Sequence, residues 1–319
     1  MSTPRIVFFG TPEIAVPTLE RLHLEWGVCA VVTVPDAPQG RGRSLRPSAV
    51  KRAALELGIS PIFEPTSLRD ASFADALSAL APDIFCVLAF RILPQSLLSI
   101  PRLAFNVHPS LLPKFRGAAP IAHAIIAGER ETGVTTFVMS NRVDAGAILL
   151  QERLPIPDGA TAGDLATLLA PLCAELAHRT IKHWIEGSLT PLPQAEELAT
   201  SAPKLHAEHA QIAWERDARS IRNFIHGHSP EPGAWTLLDG GVRLKIYRAE
   251  IIEERSTGAT AGAWRMEGER WIVQCGRGTL GLVEVQLPGK RVMTAAELLR
   301  GWRSDRTGTF ALPMHAPQQ

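Results

Sequence analysis

Asn106 and His108 stand two residues apart in the segment Phe105-Asn106-Val107-His108-Pro109-Ser110-Leu111-Leu112-Pro113-Lys114-Phe115-Arg116-Gly117. On a strand that spacing puts both side chains on one face, and the prolines beyond them end the strand and stiffen the loop. Asp144, in Arg142-Val143-Asp144-Ala145-Gly146, ends the loop after another strand-like run, Gly133 to Met139. A carboxamide stabilising an oxyanion, an imidazole moving a proton and a carboxylate orienting the imidazole are what acyl transfer needs. Spacing alone leaves open the plainer reading, that these are turn formers and satisfied polar groups at a strand end.

The elements that must position this trio follow a repeated pattern. Arg5-Ile-Val-Phe-Phe-Gly10 reads as a short strand, and Thr11-Pro12-Glu13 as a helix start with threonine as cap. Val16, Leu19 and Leu22 then repeat at helical spacing before a β-branched run, Val28 to Val34. Leu68, Leu77 and Leu80 mark another helix, while Ile84 to Ala89 and Leu103 to His108 mark further strands. Such alternation predicts an α/β fold with a doubly wound, mostly parallel sheet, whose ligands bind at the carboxyl ends of the strands.

Thr161 with Asp164 opens a helix with Leu165, Leu168, Leu169, Leu172 and Leu176 on one face that closes a first domain, residues 1–188. Pro191, Pro193 and Pro203 make 189–206 an extended linker rather than a packed element. From 207 to 319 a helix through Ile221, Phe224 and Ile225 precedes short strands near Ala234–Leu238, Val242–Tyr247, Trp271–Gln274 and Leu280–Leu287. That pattern suits a small C-terminal β-barrel of OB-like type.

With 319 residues, 45% hydrophobic, 20% charged and a net charge of +1, the chain reads as a globular protein with room for two cores. Bulk charge selects no polyanionic partner. No apolar run approaches the ~20 residues of a membrane span, and the N-terminus does not read as a signal peptide. Cys29, Cys86, Cys173 and Cys275 sit apart and mostly within apolar runs, which suggests a reduced cytoplasmic protein without structural zinc.

Other signals carry less. Gly276-Arg277-Gly278-Thr279-Leu280-Gly281 spells G-x-G-x-x-G, but an alternating strand follows where phosphate binding needs a helix, so it reads as a hairpin turn. His206 with His209, and His226 with His228, read as solvated histidines rather than metal pairs. Trp184, Trp214, Trp235 and Trp264 read as core or edge aromatics. Between Ala37 and Leu55 lie Arg41, Arg43, Arg46, Lys51 and Arg52 and no acid, among Gly40, Gly42 and Pro47. A loop of this composition is able to wrap phosphates, or to be a solvated basic loop.

The Asn106 to Gly117 string resembles the methionyl-tRNA formyltransferase family. So do Phe8-Phe9-Gly10-Thr11-Pro12-Glu13, Pro35-Asp36-Ala37-Pro38-Gln39-Gly40-Arg41-Gly42 and Glu131-Thr132-Gly133-Val134-Thr135. The likeness continues through Ala202-Pro203-Lys204-Leu205 and Pro288-Gly289-Lys290-Arg291, followed by Ala295-Ala296-Glu297. The resemblance implies a Rossmann-like formyltransferase domain and a C-terminal tRNA-binding domain. It implies that the amino group of initiator methionyl-tRNA attacks the formyl carbon of 10-formyltetrahydrofolate directly, with no nucleophilic side chain and no metal. Asn106 would then hold the oxyanion, His108 assist proton transfer, and Asp144 tune His108 and the amine.

Ser110, Leu111, Leu112 and Pro113, with backbone around Leu88–Leu93 and the Asp144 loop, would line the folate pocket. Arg41 would probe the end of the acceptor stem with Arg43 beside it, and Lys204, Lys290 and Arg291 would meet phosphates. The chain is expected to be a monomer without membrane attachment. The chain differs from the family where Phe90-Arg91 replaces a Tyr-Gly pair and Ser229-Pro230-Glu231-Pro232 replaces Asn-Pro-x-Pro. Rival readings are a sugar N-formyltransferase of the same fold, a formyltetrahydrofolate hydrolase, or a noncatalytic RNA-binding protein.

Overall fold

The computed structural model describes residues 3–39, 44–255 and 258–311. The chain parts into two compact units. Unit 1 comprises residues 1–120, 131–155 and 166–203, and unit 2 comprises 121–130, 156–165 and 204–319.

Unit 1 is built on seven strands: β1 (Ile6–Gly10), β2 (Val28–Val32), β5 (Ile62–Phe63), β6 (Ile84–Leu88), β7 (Leu103–His108), β8 (Glu131–Val138) and β9 (Ile148–Pro155). Between β2 and β5, β3 (Ala37–Gln39) and β4 (Ser44–Arg46) form a separate antiparallel hairpin. The sheet order is β5-β2-β1-β6-β7-β8-β9, parallel from β5 to β7 and antiparallel from β7 through β9. The expected doubly wound, mostly parallel sheet is therefore present, with an antiparallel edge. Strands β1 and β6 are buried along their whole length, as uniformly apolar strands covered on both faces must be.

The helices of this part are α1 (Val16–Trp26), α2 (Ala49–Glu56), α3 (Ala71–Ala79) and α4 (Gln95–Leu98). Ser48 caps α2 by accepting from Lys51 N, and Asp70 caps α3 by accepting from Ser72 N. Thr11 does not cap α1 as expected. A short helical turn, Glu13–Ala15, comes first and follows Pro12 without a side-chain cap, so the prolyl ring alone sets its start. α5 (Pro120–Ile126), which belongs to unit 2 from Ile121 on, and α6 (Ala162–Glu186), whose first turn to Leu165 belongs to unit 2, follow. The expected start of α6 is a reciprocal cap, with Thr161 N donating to Asp164 Oδ2 (3.0 Å) and Asp164 N to Thr161 Oγ1 (3.1 Å).

Residues 189–203 are extended apart from a short helical turn at Glu196–Leu198, but they are not a loose tether. Leu192 and Ile148 exchange two backbone hydrogen bonds (2.7 and 2.8 Å), and Arg116 pairs with Thr200 and Ala202 (2.8 and 2.6 Å). Proline-rich composition had pointed to a linker. A strap satisfied by backbone bonds to a neighbouring strand and loop needs no apolar side chains to announce it.

Unit 2 contains α7 (Ala218–Gly227), β10 (Ala234–Leu237), β11 (Arg243–Glu253), β12 (Ala263–Glu267), β13 (Arg270–Gln274), β14 (Thr279–Gln286), β15 (Met293–Thr294), α8 (Ala295–Arg300) and β16 (Thr307–Thr309). The antiparallel sheet runs β10-β11-β14-β13-β12-β16, with β15 on β14. Its core gathers Trp214, Trp264, Trp271 and Phe310, the first and last stacked at 5.3 Å. Gly276–Gly278 lie in the β13–β14 hairpin turn, as expected, and Thr279–Gly281 already belong to β14.

His226 and His228, expected in solvent, are buried instead at 2% and 3% exposure. They sit at the end of α7, which packs on β11, and Ala249 N–H of that strand donates to His226 Nε2 (3.1 Å). Burial and the neighbouring Arg222 and Arg248 guanidiniums push His226 down to about 4. The unfolded chain therefore takes up this proton first as pH falls below 6.5, and folded stability should decline from there toward pH 4. Thermal melts at stepped pH should show a shallower decline in His226→Gln than in the parent chain.

Candidate active site

The pleat of β7 places Asn106 and His108 on one face, beside the carboxyl ends of β6 and β7. There they line a cavity of about 520 Å³ together with Ala89, Phe90, Phe137 and Asp144. His108 is 4% exposed. Its Nε2–H donates to Phe115 O at 2.8 Å, which leaves Nδ1 facing Asp144 Oδ2 at 3.7 Å. Burial lowers the His108 pKa, against the opposing pull of the Asp144 charge and the Phe115 carbonyl. The imidazole is thus neutral near pH 7, protonated on Nε2 and free to accept on Nδ1.

Asp144 sits at φ 50°, in the left-handed region, where aspartate is tolerated better than most residues. Gly117 N–H donates to its Oδ2 at 2.8 Å. Gly117 itself has φ 127°, and a Cβ there would lie 2.6 Å from Ala202 O, so the strap leaves no room for a side chain. Asn106 Oδ1 is buried, with no hydrogen-bond partner among the described residues. An unsatisfied carboxamide oxygen on a cavity wall is a group awaiting a ligand donor, and the nitrogen of the same amide is a donor for a developing anion.

The structure thus brings Asn106, His108 and Asp144 together. Ser110, Leu111, Leu112 and Pro113 are not among the cavity's lining residues. Ser110 and Leu112 are buried, and Thr135 Oγ1 donates to Ser110 O (2.6 Å) and accepts from Leu112 N (3.1 Å). Gln151 Nε2 donates to Leu112 O (3.0 Å), so this loop is pinned from below. The other expected parts of the pocket, the stretch Ala89–Leu93 and the Met139–Asp144 loop, do line the cavity. Arg91 lines the cavity, but its Nη1 and Nη2 donate to Thr66 O and Pro65 O (3.2 and 2.7 Å).

Of the basic loop, Arg41 and Arg43 lie outside the described residues. Lys51 is tied to Asp36 and Glu64 (2.7 and 2.8 Å), which raises its pKa, and Arg52 is tied to Glu13. Arg46 is exposed. In unit 2, Lys204 and Lys290 are exposed, and Arg291 pairs with Glu297 at 3.1 Å. A second hollow in that unit is lined by Arg219, Arg222 and Arg248, each paired with a carboxylate. Among the described residues no group of three or more His, Cys, Asp and Glu could hold a metal ion, and no helix is long and apolar enough to cross a membrane.

Sequence reasoning missed the groups that hold the trio: Phe115 O, Gly117 N–H and Gln194. Two are backbone groups without a residue signature, and Gln194 lies in the segment read as a linker.

An amide, a neutral imidazole and a carboxylate at one cavity beside the ends of parallel strands are the equipment of an acyl-transfer enzyme. The formyl transferase model matches residues 4–180, and the formyl transferase C-terminal domain model matches residues 204–303. The chain belongs to the formyl transferase family. Within it, the chain is 44% identical over 301 residues to the methionyl-tRNA formyltransferase of Moorella thermoacetica, covering 93% of this chain and 96% of that one. It is also 44% identical over 302 residues to the methionyl-tRNA formyltransferase of Pelotomaculum thermopropionicum, covering 93% and 95%.

Among solved structures, HypX from Aquifex aeolicus in complex with tetrahydrofolic acid superposes with TM-score 0.63 at 19% identity, over 93% of this chain and 47% of that one. An N-formyltransferase from Helicobacter canadensis, solved with folinic acid and dTDP-3-aminofucose, gives TM-score 0.66 at 21% identity, over 88% and 99%. At those identities the likeness is one of fold.

Proposed function

We propose that the protein transfers the formyl group of 10-formyltetrahydrofolate to the amino group of initiator methionyl-tRNA, acting as a cytoplasmic monomer. The observation that carries this reading is the convergence of Asn106, His108 and Asp144 on one cavity, with Asn106 Oδ1 buried and unpartnered among the described residues and His108 Nδ1 standing 3.7 Å from Asp144 Oδ2. A cavity of about 520 Å³ with an apolar wall is of the size that takes a flat pterin. The identity to methionyl-tRNA formyltransferases over both domains supports the choice of acceptor.

In this reading Asn106 donates from Nδ2 to the formyl oxygen as the amine nitrogen bonds to the formyl carbon, and its Oδ1 orients an amine N–H. His108 Nδ1 accepts the proton that the amine loses, and the Asp144 carboxylate stabilises the imidazolium. The same proton then passes to the folate N10 as the C–N10 bond breaks, so a formamide and tetrahydrofolate leave and the enzyme is restored. Ser110 through Pro113 support the β7 end that carries Asn106 and His108. Arg41, Arg43, Lys204, Lys290 and Arg291 meet tRNA phosphates, Arg41 at the end of the acceptor stem.

Incubation with 10-formyltetrahydrofolate and charged initiator tRNA should yield N-formylmethionyl-tRNA, with no transfer to an amino-sugar nucleotide. Transfer to the sugar instead, or hydrolysis alone, overturns the reading. Arg41→Ala should weaken transfer to initiator tRNA while leaving folate binding intact, as read by KM for tRNA and by equilibrium folate titration.

A further inference from the structure

We infer that Gln194 is a positioning residue for this reaction, holding the backbone of Asp144 so that its carboxylate stands opposite His108. The inference rests on the function proposed above. Gln194 Nε2 donates to Asp144 O (2.9 Å) and to Gly146 O (2.8 Å). Its Oε1 accepts from Arg116 Nε (3.1 Å) and Nη2 (2.7 Å). Both donors and the acceptor of one carboxamide are thus spent between the loop that carries Asp144 and the turn that carries Gly117.

Gly117 is the residue whose N–H holds the Asp144 carboxylate, and Arg116 precedes it. Asp144 is therefore gripped at two points, at its carbonyl by Gln194 and at its carboxylate by Gly117, and the Arg116 to Gln194 bonds join the two grips. The strap fixes the same turn from behind, through Arg116 N to Thr200 O (2.8 Å) and Ala202 N to Arg116 O (2.6 Å). A residue at φ 50° persists when its surroundings over-determine it, and these bonds do so.

Only an amide fits this role. A carboxylate at position 194 would keep Arg116 but set an acceptor against two carbonyl oxygens, and a thioether would leave both carbonyls unpaired. In either case the Asp144 loop loses its anchor, and a displacement of about 1 Å in a reacting group costs up to about 10²-fold in rate.

The test uses the full chain with Gln194→Glu and Gln194→Met. Each should lower kcat by about 10- to 100-fold, with KM for the formyl donor and for charged tRNA within about threefold of the parent. In an Asp144→Asn background the further cost of Gln194→Glu should shrink to less than about threefold, because a residue acting through Asp144 has nothing left to act on. Independently of activity, amide exchange at Gly117 should accelerate by about tenfold in both variants, with the β-sheet amides of unit 1 unchanged. Unaltered exchange at Gly117, a kcat loss that is fully additive with Asp144→Asn, or a fall in Tm that accounts for the lost activity overturns the assignment. A parent enzyme inert toward charged tRNA would remove the proposed acceptor, and the Gly117 exchange would still decide the clamp.

Discussion

His108→Ala should reduce turnover by about 10²- to 10⁴-fold while tRNA affinity changes little, since in the proposed reaction the imidazole moves a proton in the transition state and contributes little to ground-state binding. The pH dependence follows from its surroundings. Burial holds the His108 pKa below 6.5, so the base is already free at pH 7 and is lost only as pH falls beneath that value. The acid limb of kcat/KM for the parent enzyme should therefore fall below pH 6.5. Asp144 opposes the burial, so Asp144→Asn should move that limb lower still while reducing the plateau. A limb at or above 6.5, or an unshifted limb in Asp144→Asn, contradicts this assignment. So does His108→Ala turnover close to that of the parent. Steady-state rates from pH 5 to 9, paired with tRNA binding at each pH, measure both quantities.

The pairing of Asn106 with His108 was legible because period-2 placement depends on side-chain spacing alone, which a sequence states directly. Asn106 and His108 face the same way for that reason. Asp144 was nameable, but its approach to His108 was not, because a left-handed residue stabilised by Gly117 N–H and by Gln194 leaves no pattern along the chain. The same limit explains the strap. Leu192, Thr200 and Ala202 hold unit 1 through backbone bonds, to which composition is blind. The strands of unit 2 around Trp271 and Leu280 announced themselves by alternation, whereas β16 is three residues of Thr307-Gly308-Thr309 and pairs with β12 without an apolar pattern. His226 looked like a solvated residue because histidine type says nothing of burial. What buries it is the packing of α7 on β11, a long-range pairing.

Asn106→Leu should separate stability from activity. The substitution keeps the branched side-chain shape and removes both polar atoms, and Oδ1 is buried without a partner among the described residues. An unsatisfied buried acceptor costs roughly 1–3 kcal/mol, so the leucine variant should be the more stable protein. At the size of unit 1 each kcal/mol moves Tm by about 2–4 °C, which sets an expected rise of several degrees. Loss of the oxyanion donor should at the same time cost about 10²–10³ in kcat, equivalent to roughly 2.7–4 kcal/mol of transition-state stabilisation. KM for the formyl donor should change little, because the charge that Asn106 meets exists only after attack begins. Calorimetry and steady-state kinetics on one preparation decide the matter. A lower Tm would mean that Asn106 is a satisfied structural residue in the resting enzyme. An unchanged kcat would mean that another donor holds the oxyanion. A raised Tm with a lowered kcat is the signature of an amide left unpaired in the folded chain for the sake of the reaction it serves.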